Sequence, residues 1–270
     1  MMPVSGPPHS LVVEPAVIAR LAGDRPRRCV WRNALGGLTF DVAETAGSER
    51  LFVKWSPRDV APDLAAEADR LRWAISYTPV PHVLDLGSDD GGSWLVTAAH
   101  PGVSAVDARW LSDPETAVRA LGSGLRDLHD ALPVRSCPFA WSASDRLAEV
   151  RRRAAAGEID STASDPDRRG LDIPAAVRIL SDIPATDRLV VCHGDPCAPN
   201  TLIGEDGRWT AHVDLGMLGV ADRWADLAVA TWSLNWNYGP GWEAVFFDAY
   251  GCDPDAARMT YYRLLWDLGP

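Results

Sequence analysis

The chain has 270 residues, of which 47% are hydrophobic and 23% charged, enough for one large domain or two lobes. Its formal net charge of -11 speaks against a nucleic-acid partner, since phosphate backbones need a basic surface, and favours a cationic small molecule. No stretch approaches the roughly eighteen apolar residues of a membrane-spanning helix, so no membrane partner is expected.

Residues 1–13 carry neither a basic nor an apolar targeting segment and read as a disordered leader, which makes a cytoplasmic location the expectation. Strands are expected at 28–31, 38–42 and 51–54. The turn Asn33-Ala-Leu-Gly-Gly37 joins the first two, and Gly36 and Gly37 would let backbone N–H groups approach a phosphate. The third strand holds Lys54, the sole lysine among 26 Lys plus Arg. A helix follows at 62–76, with Leu64, Ala68, Leu71 and Ile75 as its apolar stripe and Asp63, Glu67 and Arg70 on one polar face. Strands at 83–86 and 94–98, joined by the turn at 88–92, complete a small lobe over 1–98.

Ala99-His-Pro-Gly102 breaks the pattern, and 99–103 reads as a hinge. Residues 104–270 then turn helical, with helices expected at 114–132, 145–156, 173–181, 221–235, 241–250 and 254–268. Arg151-Arg-Arg153 lies between Glu149 and Glu158 and reads as a solvated face. Residues 160–170 are polar and Pro/Asp-rich, which predicts a mobile loop over the cleft. A sheet lobe and a helical lobe flanking a cleft would suit ATP. The five cysteines are odd in number and irregular in spacing, so neither a disulfide framework nor a zinc site is expected.

The densest chemistry lies at Val191-Cys-His-Gly-Asp-Pro-Cys-Ala-Pro-Asn200, followed by His212-Val-Asp-Leu-Gly216. Short strands at 189–192, 201–203 and 209–213 frame it. Asp195 precedes Asn200 by five residues and Asp214 by nineteen. Phosphoryl transfer from ATP uses such a set: one carboxylate orients the acceptor hydroxyl, while an amide oxygen and a second carboxylate hold Mg²⁺ on the phosphates. Lys54, paired with Glu67, would supply the compact positive charge that the α- and β-phosphates need.

These segments resemble the aminoglycoside 3'-phosphotransferases, of the kanamycin-kinase type, within the wider group of antibiotic and choline kinases. The resemblance is closest over 189–230 and runs from about Val30 to Leu268. It implies an α+β, two-lobed protein-kinase-like fold, with a small antiparallel-sheet N-lobe and a larger helical C-lobe. It implies Asp195 as catalytic base, Asn200 and Asp214 on Mg²⁺, and Lys54 with Glu67 on the ATP phosphates. The backbone near Thr97 and Ala99 would bind adenine, His193 would brace the loop, and Asp222 or Asp226 would hold it through backbone N–H groups.

Met217 stands where the family usually carries Arg, and the C-terminal acids are sparse. Asp165, Asp167, Trp266 and Asp267 are the candidate substrate surface. The expected activity is ATP-dependent phosphorylation of an aminoglycoside hydroxyl, with GTP as a possible donor and a monomer or weak dimer as the working form. A kinase for another small alcohol and a non-catalytic nucleotide-binding protein are the alternatives.

Overall fold

Leu38, Phe40 and Val42 alternate with polar Thr39 and Asp41, the two-residue period of a strand with one face in a core. In the computed structural model, which describes residues 6–8, 10–58, 64–159 and 171–269, that segment is a strand with all three apolar side chains buried. The chain divides into two compact units, Met1–His100 and Pro101–Pro270.

The first unit is a five-stranded antiparallel sheet ordered β1-β2-β3-β5-β4. Its strands are β1 (Arg27–Arg32), β2 (Leu38–Val42), β3 (Leu51–Pro57), β4 (Val83–Ser88) and β5 (Gly92–Ala98). Helix α1 (Ala16–Ala22) packs Val17, Ile18 and Ala22 against Phe40, Val42 and Val53, and Gly23 stops it in a backbone conformation with φ 60. Burying each large apolar side chain in that layer contributes about 1.5–3 kcal/mol.

Helix α1 has no counterpart among the expected elements, because seven residues show too little helical period to register. The expected leader is also partly ordered. Gly6 bridges Arg32 on the edge of β1 through two backbone hydrogen bonds, and Val12 packs against the core. An edge strand otherwise leaves such groups unpaired. Helix α2 is described over Leu64–Ala74, and Pro62 and Asp63 lie outside the described residues. Leu64, Ala68 and Leu71 are buried as expected, but Ile75 falls past the helix end and is exposed.

The second unit contains β6 (Val103–Ser104), α3 (Ala108–Leu111), α4 (Pro114–Ala131), α5 (Ala143–Ala156) and α6 (Ile173–Leu180). It continues with β7 (Leu189–Cys192), β8 (Thr201–Ile203), β9 (Trp209–His212), β10 (Gly219–Asp222), α7 (Trp224–Tyr238), α8 (Glu243–Tyr250) and α9 (Ala256–Leu268). Arg152 pairs with Glu149 at 2.7 Å and Glu158 at 2.9 Å on the solvated face expected of that basic run, whereas Arg153 is half-buried and donates to the Leu268 carbonyl at 3.0 Å.

One expected helix is displaced. Residues 219–222 are a strand paired with β7, Asp222 opposite Leu189. Helix α7 starts only at Trp224, whose N–H donates to the Asp222 carboxylate at 3.0 Å, and it runs on to Tyr238 rather than stopping at 235. Among the described residues no helix is long and apolar enough to cross a membrane.

Candidate active site

In the first unit, strand alternation puts Val53 toward α1 and Lys54 on the opposite face of β3, where α2 brings Glu67. The Lys54 ammonium donates to Glu67 Oε1 at 2.6 Å, with Glu67 itself buried. A buried carboxylate held to an ammonium fixes the position of that charge. The β1–β2 turn closes on itself. Asn33 Oδ1 accepts the N–H of Leu35 at 3.0 Å and of Gly37 at 2.7 Å, and Gly36 has φ 87. The Gly37 N–H is therefore already engaged within the turn, and a Cβ there would meet the Asn33 side chain at 2.6 Å. Thr97 pairs in register with Phe52 and Val83 on β5, and the Ala99 N–H donates to the Arg50 carbonyl at 3.0 Å.

In the second unit, β7 delivers His193 to Asp195, and the loop then makes one 3₁₀ turn, Ala198–Asn200, before β8. Every stretch of this loop has an anchor. Asp226 on α7, wholly buried, accepts the N–H of His193 at 2.6 Å and of Gly194 at 2.9 Å. Its second partner at Oδ2 is His129 Nε2 at 3.0 Å, so Nε2 carries a proton, and His129 Nδ1 lies 2.9 Å from the Tyr250 hydroxyl. These bonds hold the Asp226 carboxyl below its usual range despite the opposing effect of burial. Two turns further along α7, Ser233 Oγ accepts the Ala198 N–H at 2.9 Å. Ser104 donates to the Pro199 carbonyl at 2.9 Å.

Asp214 is tied to the same loop through its neighbour. Val213 donates to the Asn200 carbonyl at 2.9 Å, and its own carbonyl accepts from His193 Nε2 at 3.0 Å. With Nε2 protonated, His193 Nδ1 accepts the Asp195 N–H at 3.3 Å. Asp214 then turns at φ 64, a left-handed conformation that Asp tolerates better than most residues, and is exposed.

Asn200 Nδ2 donates to the Asp195 carbonyl at 3.0 Å and to Asp195 Oδ2 at 3.2 Å. A carbonyl can only accept, so the amide orientation is fixed and Asn200 Oδ1 faces elsewhere as an acceptor. Asp195 Oδ1 is shielded from water and, among the described residues, accepts no hydrogen bond of ordinary geometry, with the Cys197 thiol beside the carboxylate. Burial, joined by the like charge of Asp214, raises the Asp195 carboxyl above the ordinary aspartate value, while the Cys197 thiol and Asn200 pull it back. Cys197 is itself pushed well up by burial and stays a protonated thiol.

An amide oxygen and a carboxylate are hard oxygen donors of the kind Mg²⁺ takes. Asn200 and Asp214 therefore fit that ion. His129, Cys192 and Asp226 also bring ligand-type atoms within 4.8 Å of one another. Their atoms are committed to each other, Tyr250 and the Asp222 carbonyl, and the buried Arg146 guanidinium is close by, so this group is a hydrogen-bond network.

Asp222 belongs to the frame around the loop. It accepts from Asp187 N–H at 2.7 Å and Arg258 at 3.3 Å, joining the entry of β7 to α9. Trp266 and Asp267 lie in the last turns of α9, half-buried, and Trp266 packs on Trp232 and Trp236 of α7. Asp165 and Asp167 lie outside the described residues.

A family model described as a phosphotransferase enzyme family matches residues 31–262. The chain belongs to the phosphotransferase enzyme family. Among curated relatives, an aminoglycoside 3'-phosphotransferase of Streptomyces fradiae is 38% identical over 240 residues, covering 82% of this chain and 87% of the relative. A crystal structure of an aminoglycoside-3'-phosphotransferase of type VIII matches at a TM-score of 0.79 and 32% identity, covering 93% of this chain and 97% of that one. An aminoglycoside phosphotransferase of Streptomyces rimosus in complex with ADP and streptomycin matches at a TM-score of 0.73 and 28% identity, over 93% and 95% of the two chains. The phosphotransferase thus has the α+β kinase-like fold expected from its motifs.

Ser233, Asn237, Trp232 and Trp236 were not among the residues expected from the sequence. Their signal was present as two i, i+4 pairs at the end of α7, two turns beyond Asp226.

Proposed function

We propose that this phosphotransferase moves the γ-phosphoryl group of ATP to a hydroxyl, the 3'-hydroxyl, of an aminoglycoside, and so inactivates the antibiotic. The observation that carries this reading is the shielded Asp195 Oδ1 in a loop pinned on every side. A buried acceptor with no hydrogen bond of ordinary geometry suits the proton of an acceptor hydroxyl. As the hydroxyl oxygen forms its bond to the γ-phosphorus, the bond to the β–γ bridging oxygen breaks and ADP leaves. The hydroxyl proton passes to Asp195.

Asn200 Oδ1 and Asp214 would hold Mg²⁺, which when bound neutralises charge on the phosphates. Lys54, steadied by Glu67, would meet the α- and β-phosphates, and the backbone around Thr97 and Ala99 the adenine. The relatives support the acceptor class, and the net charge of -11 supports a cationic one. Asp267 would contribute a carboxylate to it.

An ADP-release screen across kanamycin, neomycin, streptomycin, simple sugars and choline tests the reading, with product regiochemistry read by NMR. Turnover confined to aminoglycosides is the expected outcome. Turnover of sugars or choline alone would transfer the assignment to another small alcohol.

A further inference from the structure

The three tryptophans at the end of α7 and α9 form a closed triangle. Ring centroids are 4.8 Å apart for Trp232–Trp236, 5.9 Å for Trp232–Trp266 and 6.0 Å for Trp236–Trp266. All three separations lie in the range of attractive aromatic pairs. Trp232 is 8% exposed and serves as the floor, whereas Trp236 is 49% exposed. Trp236 is thus steadied by two rings and open to solvent, so ordering it on binding costs little side-chain entropy.

Its position along α7 relates it to the reacting atoms. Ser233, three residues earlier, accepts the Ala198 N–H of the catalytic loop. Asn237, beside Trp236, donates to the Ser233 carbonyl at 2.8 Å and to Ser233 Oγ at 3.1 Å. Residues three and four apart are neighbours on a helix surface, so Trp236 stands about one turn, roughly 5 Å of rise, beyond the loop contact. The Asn237 amide is oriented by the Ser233 carbonyl, which can only accept, so Asn237 Oδ1 is left as an acceptor.

Trp236 offers an open aromatic face one turn from the loop that holds Asp195. Indole is also the aromatic ring that best attracts a cation to its face. An amino sugar offers both partners it needs, a C–H face to stack and an ammonium or guanidinium group. Glu243, at the start of α8, is already engaged by Arg263 at 2.8 Å.

We propose that Trp236, backed by Trp232 and Trp266, is the platform on which the cationic amino-sugar acceptor stacks, with Asn237 Oδ1 accepting from one of its hydroxyl or ammonium groups. This rests on the acceptor class proposed above and names the residues that read it. The test compares Trp236→Phe and Trp236→Leu with wild type, using kanamycin and streptomycin as acceptors. Steady-state KM for acceptor and for ATP are measured, together with tryptophan fluorescence on adding acceptor without nucleotide.

Leucine keeps apolar area but loses the π-face, so acceptor KM should rise about tenfold in Trp236→Leu and about threefold in Trp236→Phe, with ATP KM unmoved. The acceptor-induced fluorescence change should shrink in both. Thermal melts within a few degrees of wild type would show that the variants fold; should Trp236→Leu fail to fold, Trp236→Phe alone decides. Wild-type turnover with an unchanged acceptor KM in the folded variants overturns the platform and leaves the acceptor class standing. If wild type neither turns over nor responds to any amino sugar, the acceptor class falls, and the platform with it.

Discussion

The two ends of α7 do different work. Its first turns present Asp226, wholly buried and bonded to two loop N–H groups and to His129, while its last turn presents Trp236, half in solvent, with Asn237 beside it. Ser233 sits between and touches the loop once. The buried end leaves the backbone of the catalytic loop little freedom, because a desolvated carboxylate demands its partners. The exposed end makes no such demand, so its side chains can change without breaking the fold. One helix could in this way keep the transfer chemistry constant while the proposed acceptor surface varies.

The largest effect is expected at Asp195, the carboxylate proposed as the base. Asp195→Asn should lower kcat by about 10²–10⁴-fold, the usual worth of a general base, while ATP binding persists. Some rate should survive from positioning and electrostatics. The raised Asp195 carboxyl also sets a pH direction. The group stays protonated to a higher pH than an ordinary aspartate, so the acid limb of kcat should lie above about pH 3.9. That limb should disappear in Asp195→Asn. Near-wild-type turnover in the variant would remove Asp195 from the chemistry.

Asp226→Ala should act on stability as well as rate. It strands the N–H groups of His193 and Gly194 and the His129 ring, and removing one partner of such a buried set costs about 3–5 kcal/mol. The measurement is the urea midpoint at neutral pH together with kcat. The sign with pH follows from the depressed carboxyl. Its stabilisation is present above the unfolded pKa of about 3.9 and is lost as pH falls through the folded value. The difference between wild type and variant should therefore narrow in acid. A constant difference down to pH 3 would show that ionised Asp226 is not what holds the loop.

This division also explains what was legible in the sequence. Asp195, Asn200 and Asp214 are spaced within one loop and one hairpin, so chain-local spacing already carries their geometry. Lys54 and Glu67 follow from strand alternation and the next helix. Ser233 and Trp236 depend on where α7 ends, which tertiary contacts decide. Asn237 bonds back to Ser233, and the Tyr238 hydroxyl reaches the Ala105 carbonyl at 2.6 Å, carrying the helix past 235. The opposite error at 221–222 has a similar origin, since only pairing with β7 makes those residues a strand. In the turn at Gly36 and Gly37, Asn33 engages the Gly37 N–H, a bond that spacing alone does not reveal.

The smallest effect is expected where the two ends of α7 meet. Ser233→Ala removes the acceptor of the Ala198 N–H, and Asn237 retains the Ser233 carbonyl. An unsatisfied buried N–H costs about 1–3 kcal/mol, and the surrounding anchors on His193, Gly194 and Pro199 should hold the effect to the low end. Ala198 opens the turn that ends at Asn200, so the strain should fall on the amide that would face Mg²⁺. The expected result is a kcat about five- to tenfold lower at subsaturating Mg²⁺, partly recovered by excess Mg²⁺, with acceptor KM almost unchanged. Asn237→Ala is the control, since it loses the contact at the exposed end but leaves Ser233 on the loop. Equal losses in the two variants, or a Ser233→Ala defect confined to acceptor KM, would place Ser233 with the acceptor surface instead of the loop.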